Sequence, residues 1–76
     1  MALIRELDVK IIDWEARYIL ESIYKEMQRL KLINEKSEDE NEASDAGNDF
    51  LALSGLYERL SSEAINTFGA QIIEYE

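Results

Sequence analysis

The side chains best spaced for chemistry are three carboxylates, Glu42, Asp45 and Asp49, set three and four residues apart. On a helix those steps bring all three onto one face. Hard oxygen ligands of this kind suit Mg²⁺, which can orient nucleotide phosphates and activate water. The plainer reading places them in an acidic run, Glu35 to Asp49, that solvates the chain. They stand as candidates only, and no metal, cofactor or catalytic residue is assigned. Composition removes most other chemistries. The chain has neither histidine nor cysteine, which excludes disulfides, thiolate or imidazole zinc sites and a His-based triad. Ser61 and Ser62 therefore lack a neighbouring base, and no glycine-rich phosphate loop or basic patch is present.

The stretch Glu42-Ala43-Ser44-Asp45, leading into an apolar helix, resembles the ExxD motif of the MazG-type nucleoside triphosphate pyrophosphohydrolases. The resemblance spans about fifteen residues and implies an all-helical, oligomeric, Mg²⁺-dependent enzyme. That family also carries an EExxE motif on the preceding helix. Here the region offers Glu21 and Glu26 with Ser22, Ile23, Tyr24 and Lys25 between them, so the second ligand set is missing.

Charge narrows the partners. The formal net charge is -9, from 17 acids and 8 bases. Residues 1–33 are balanced at six of each, whereas residues 34–49 hold seven acids against Lys36. Such a chain is repelled by phosphate backbones, so direct nucleic acid binding is not expected. A basic protein partner is compatible, and so is an acidic mimic of DNA that occupies a DNA-binding surface. The first apolar residues are interrupted at Arg5, Glu6, Asp8 and Lys10, and no run approaches the roughly 18 apolar residues of a membrane span. The expectation is a cytoplasmic protein with no membrane partner.

Two helices must position these groups. From about residue 3 to 33, Val9, Ile12, Ala16, Ile19, Ile23, Met27 and Leu30 recur at steps of three and four. Glu6–Lys10, Asp13–Arg17 and Glu21–Lys25 are acid-first pairs in the same register. A second stripe, Ile4, Leu7, Ile11, Trp14 and Tyr18, runs roughly opposite the first. A competing pattern exists, because Leu7 to Ile11 alternates with period two and Asp13 can cap a helix beginning at Trp14. It ranks second, since only Gln71 to Tyr75 offers another strand. Residues 34–48 read as a mobile acidic connection, with Asn48 as N-cap of a second helix over about 49–74, or with Ser44 and Asp45 starting it a turn earlier. Its stripe is Phe50, Leu53, Leu56, Tyr57, Leu60, Ala64 and Phe68. Gly55 signals a close helix approach or simple tolerance, and Gly69 an end or a kink.

The predicted fold is therefore all-α, one domain over residues 1–76, an antiparallel two-helix hairpin that assembles into a four-helix bundle as a homodimer. Without disulfides or metals, a chain this short needs a partner to complete its core. Both helices carry surplus apolar surface at the end away from the connection. The predicted interface takes Ile4, Leu7, Ile11, Trp14 and Tyr18 from the first helix, and Ile65, Phe68, Ile72 and Tyr75 from the second. Trp14, Tyr18, Tyr24 and Tyr57 read as core or interface aromatics rather than a ligand pocket. The function expected is a small, non-catalytic interaction protein.

Overall fold

The structure is a computed structural model that describes residues 4–75. It is all-helical: α1 (Asp13–Lys36), α2 (Glu40–Phe68) and a one-turn 3-10 helix (Ala70–Ile73), with no strand among the described residues. The two long helices, about 36 and 44 Å at 1.5 Å per residue, pack side by side as an antiparallel hairpin. The hairpin shape agrees with the sequence; three boundaries do not.

The first helix begins at Asp13, not near residue 3, and the predicted start at Leu3 itself lies outside the described residues. Residues 4–12 belong to no helix or strand. Ile12 is extended (φ -93°, ψ 175°), and its N–H donates to the Glu15 carboxylate at 3.0 Å. Ile12 has no side-chain oxygen, so only this half of a capping box can form. Asp13 Oδ1 accepts from Trp14 N–H at 2.7 Å, and Asp13 and Glu15 both suit the positive end of the helix dipole. The predicted Asp13–Arg17 pair is not made, because Arg17 turns to the C-terminal segment. The Glu21–Lys25 pair does form, at 3.2 Å.

The acidic connection of residues 34–48 is the second correction. Only Ser37–Asp39 joins the helices, and α2 starts at Glu40 with Asp39, not Asn48, as its N-cap. The Asp39 carboxylate accepts from Asn41 N–H at 2.9 Å and Glu42 N–H at 3.3 Å. Glu40 and Glu42 add negative charge to the first turn, where the unpaired amides of a helix welcome it. Ala46 is buried near this end, as is Leu30, and the Asn34 amide donates to the Ala43 carbonyl at 2.8 Å. Gly47 allows that approach, since a Cβ there would lie 2.7 Å from the Asn34 amide nitrogen.

Third, α2 ends at Phe68 instead of continuing to 74. Gly69 takes φ +100°, a conformation that side chains other than glycine's resist, and its N–H closes the helix on the Ile65 carbonyl. The chain then folds back, so that Ile72 joins Ala16, Leu20 and Ala64 in the core. Tyr57, Leu60, Phe68 and Tyr75 flank this cluster. Gly55, by contrast, is exposed, and a Cβ at that position would meet nothing within 4 Å, so it marks tolerance rather than close packing. Gly55→Ala should stabilise the fold by about 0.5–1 kcal/mol, a rise of roughly 2–8 °C in thermal midpoint by circular dichroism.

Candidate interaction surface

The open end of the hairpin, where the start of α1 lies beside the end of α2, collects most of the large exposed apolar side chains, while Leu32 and Leu51 are exposed toward the joint. Ile4 is 91 % exposed, Leu7 89 %, Tyr18 71 % and Trp14 61 %, and Ile11 is exposed as well. The four predicted partners from the second half behave differently. Ile72 is only 5 % exposed, and Ile65, Phe68 and Tyr75 are half-buried against the same core. Ile72 is thus corrected from an interface residue to a core residue of its own chain. The reason is the break at Gly69, which turns the tail inward.

Two hollows flank Phe68. A cleft of about 610 Å³ runs between residues Leu7–Ile11 and the helix faces of Ala16, Leu20, Leu60 and Ala64. A smaller one of about 300 Å³ lies between Trp14, Arg17 and Ile72. Leu7, Ile11, Trp14 and Phe68 are therefore brought together around one end. Tyr18 stands apart, beside Glu21, Ser22 and Lys25, and Ile4 borders neither hollow.

The tail is fastened across the hairpin by polar contacts. The Arg17 guanidinium donates to the Glu74 carbonyl. The hydroxyls of Tyr57 and Tyr75 lie 2.6 Å apart, and the Tyr24 ring meets both rings at centroid distances of 6.1 and 5.4 Å. Tyr24 and Tyr57 thus belong to a tyrosine cluster with Tyr75, while Trp14 and Tyr18 point outward, so the four aromatics of the sequence reading line no common pocket. Burial, reinforced by the Tyr57 hydroxyl, raises the Tyr75 phenol well above its ordinary pKa. The neutral phenol is then the form the fold favours. Its stabilisation is complete below the unfolded value of about 10 and declines as pH rises through the higher folded value. Helicity measured from pH 8 to 12 should fall above about pH 10, and Tyr75→Phe should flatten that decline.

The acidic candidates occupy different ground. Glu42, Asp45 and Asp49 lie along the exposed side of α2, and no three carboxylates converge on a metal-sized site among the described residues. On α1, Glu21 pairs with Lys25 and Glu26 is held by Arg29 through contacts of 2.6 and 2.8 Å. That fork lowers the Glu26 carboxyl's pKa, the hydrogen bonds from Arg29 being the main cause. Ser61 is buried, and its hydroxyl donates to the Glu58 carbonyl at 3.2 Å. No helix among the described residues is long and apolar enough to cross a membrane.

Sequence reasoning missed the roles of two residues that shape this end. Leu20, the most buried large side chain, belongs to neither apolar stripe of the first helix, although it follows Ala16 by four and precedes Ile23 by three. Ser61 reads in the sequence only as a serine without a base, although it follows Tyr57 by four and precedes Ala64 by three. No family model matches the chain, and neither a curated protein nor a solved structure matches it.

Proposed function

We propose that the chain is a non-catalytic, cytoplasmic interaction protein that acts as a homodimer, four helices closing into one bundle at the open end of the hairpin. The observation that carries this reading is the shape of the single chain. Its radius of gyration is 14.7 Å, against about 11 Å for a compact domain of this length. Its accessible surface is 6451 Å², where a compact monomer of this mass exposes about 4,800 Å². The difference, about 1,600 Å², is ample for a standard interface, which takes about 800 Å² from each partner. The exposed apolar side chains at the open end give that surplus a location.

The acidic side of α2 is the natural contact for a second, basic protein. Glu38, Asp39, Glu40, Glu42, Asp45 and Asp49 are all exposed near its start, and a rigid helix holds their charges in fixed order. Light scattering after size exclusion should give about twice the 8.8 kDa chain mass; a folded monomer at micromolar concentration overturns the dimer. Binding of a basic partner should weaken steeply between about 50 and 500 mM salt, as screening shortens the reach of surface charge. Asp45→Lys with Asp49→Lys should weaken it further while leaving the dimer mass unchanged.

A further inference from the structure

Residues 4–12 form an arm that the single chain does not use. Every residue from Ile4 to Ile12 is exposed. Among the described residues, no hydrogen bond ties the backbone of Arg5 to Ile11 to the rest of the chain. Yet the arm stands over the cleft whose floor is Ala16, Leu20, Leu60 and Ala64. Its sequence alternates, so that as a strand it would turn Leu7, Val9 and Ile11 to one side and Asp8 and Lys10 to the other. Unpaired donors and acceptors on such a segment are a template for a second strand.

We infer that the arm pairs with the same arm of a second copy, as an antiparallel two-stranded ribbon whose two-fold axis passes through Val9. This rests on the homodimer reading and specifies how that dimer is joined. The register follows from charge complementarity. With Val9 opposite its own copy, Asp8 of each chain faces Lys10 of the other, and Leu7 faces Ile11. Both charged residues between Leu7 and Ile11 then meet an opposite charge, and every apolar residue there meets an apolar one. Shifting the axis to Asp8 or Lys10 sets like charges face to face at the centre. Moving it between two residues places apolar side chains opposite charged ones at the centre, Asp8 against Val9 and Leu7 against Lys10 for an axis between residues 8 and 9, because a one-residue slip exchanges the two faces.

The correct register also leaves one face wholly apolar, with Leu7, Val9 and Ile11 from both strands. An isolated pair of short strands is marginal in water, so this face needs cover. The 610 Å³ cleft beneath the arm supplies it. A two-fold ribbon uses the same patch on both chains and closes on itself, so it stops at a dimer.

Single-cysteine variants test this in the full chain, which has no cysteine of its own. Val9→Cys should cross-link to a disulfide dimer under mild oxidation, because the two Cβ atoms face each other directly across the axis. Leu7→Cys and Ile11→Cys should not, since each lies about 13 Å from its own copy in this register. Lys10→Glu and Asp8→Lys should each raise the dimer Kd at least about 10-fold, and an equimolar mixture of the two should restore it as a heterodimer. Both changes lie outside the helices, so unchanged helical circular dichroism confirms that folding is intact. A dimer by light scattering in which Val9→Cys fails to cross-link overturns the ribbon but leaves the dimer standing, with the arm free for another protein. A monomer overturns both.

Discussion

Leu20→Ala should cost the protein about 2–5 kcal/mol, enough to remove a large part of its stability. Among the described residues Leu20 is the one large side chain buried to 2 % exposure, and it packs with Ala16, Ala64 and Ile72 in a single cluster. Two of its three fully buried neighbours are alanines, which have no side chain able to move into the space. How far the flanking Tyr57, Leu60 and Phe68 move into the space sets where in that range the loss falls. A chain of this size has a total stability of about 4–11 kcal/mol, so the thermal midpoint should fall by more than about 10 °C. Leu51→Ala is the matched control. Leu51 is exposed on α2, and its removal should change stability by less than about 0.5 kcal/mol. Equal losses at the two positions would contradict this core.

Trp14→Glu should convert the dimer to a monomer without unfolding it. Trp14 is largely exposed in the single chain, where it borders a hollow with Phe68 and Ile72. Its removal therefore takes little from the hairpin itself. At the centre of an interface, a buried tryptophan commonly accounts for about 2–4 kcal/mol, and a carboxylate in its place adds an unpaired charge. The dimer Kd should rise about 30- to 1,000-fold, readable by sedimentation or light scattering across a concentration series. Lys36→Glu, at the far end of α1, should leave the Kd unchanged. If Trp14→Glu dimerises as the parent does, the contact lies elsewhere.

The helical hairpin is legible in the sequence because apolar residues recur at steps of three and four through both helices. Ala16, Ile23, Met27 and Leu30 on α1, and Tyr57, Leu60 and Ala64 on α2, are the faces that meet. The ends are not legible, and each failure has its own physical cause. Residues 4–12 satisfy two periods at once, since Ile4, Leu7 and Ile11 step like a helix while Leu7, Val9 and Ile11 step like a strand. Periodicity cannot decide between them; the acids Asp13 and Glu15, placed where a first helical turn welcomes negative charge, mark the boundary. The run from Glu40 to Asp49 reads as a connection because it is polar. Polarity, however, does not break a helix, and the small residues Ala43, Ala46 and Gly47 suffice where the hairpin is narrow. The inward turn of the tail depends on one positive φ at Gly69, which sequence pattern flags only as a stop. For the acidic candidates, the spacing of Glu42, Asp45 and Asp49 correctly puts them on one side of a helix. What spacing cannot supply is whether α1 brings further carboxylates beside them.

The short joint at Ser37–Asp39 has a practical consequence for anyone handling the molecule. With one sharp reversal in the chain, the arm and the folded-back tail emerge at the same end, the end through which the dimer is proposed to assemble. A fluorophore or affinity tag attached to the arm or to the folded-back tail would crowd that end and mask the oligomer it was meant to report. The joint lies at the opposite pole, about 40 Å of helix away, and Glu38 within it is exposed. A label placed on a cysteine introduced at Glu38 would leave the apolar end clear, and in a dimer joined there two such labels would sit far apart.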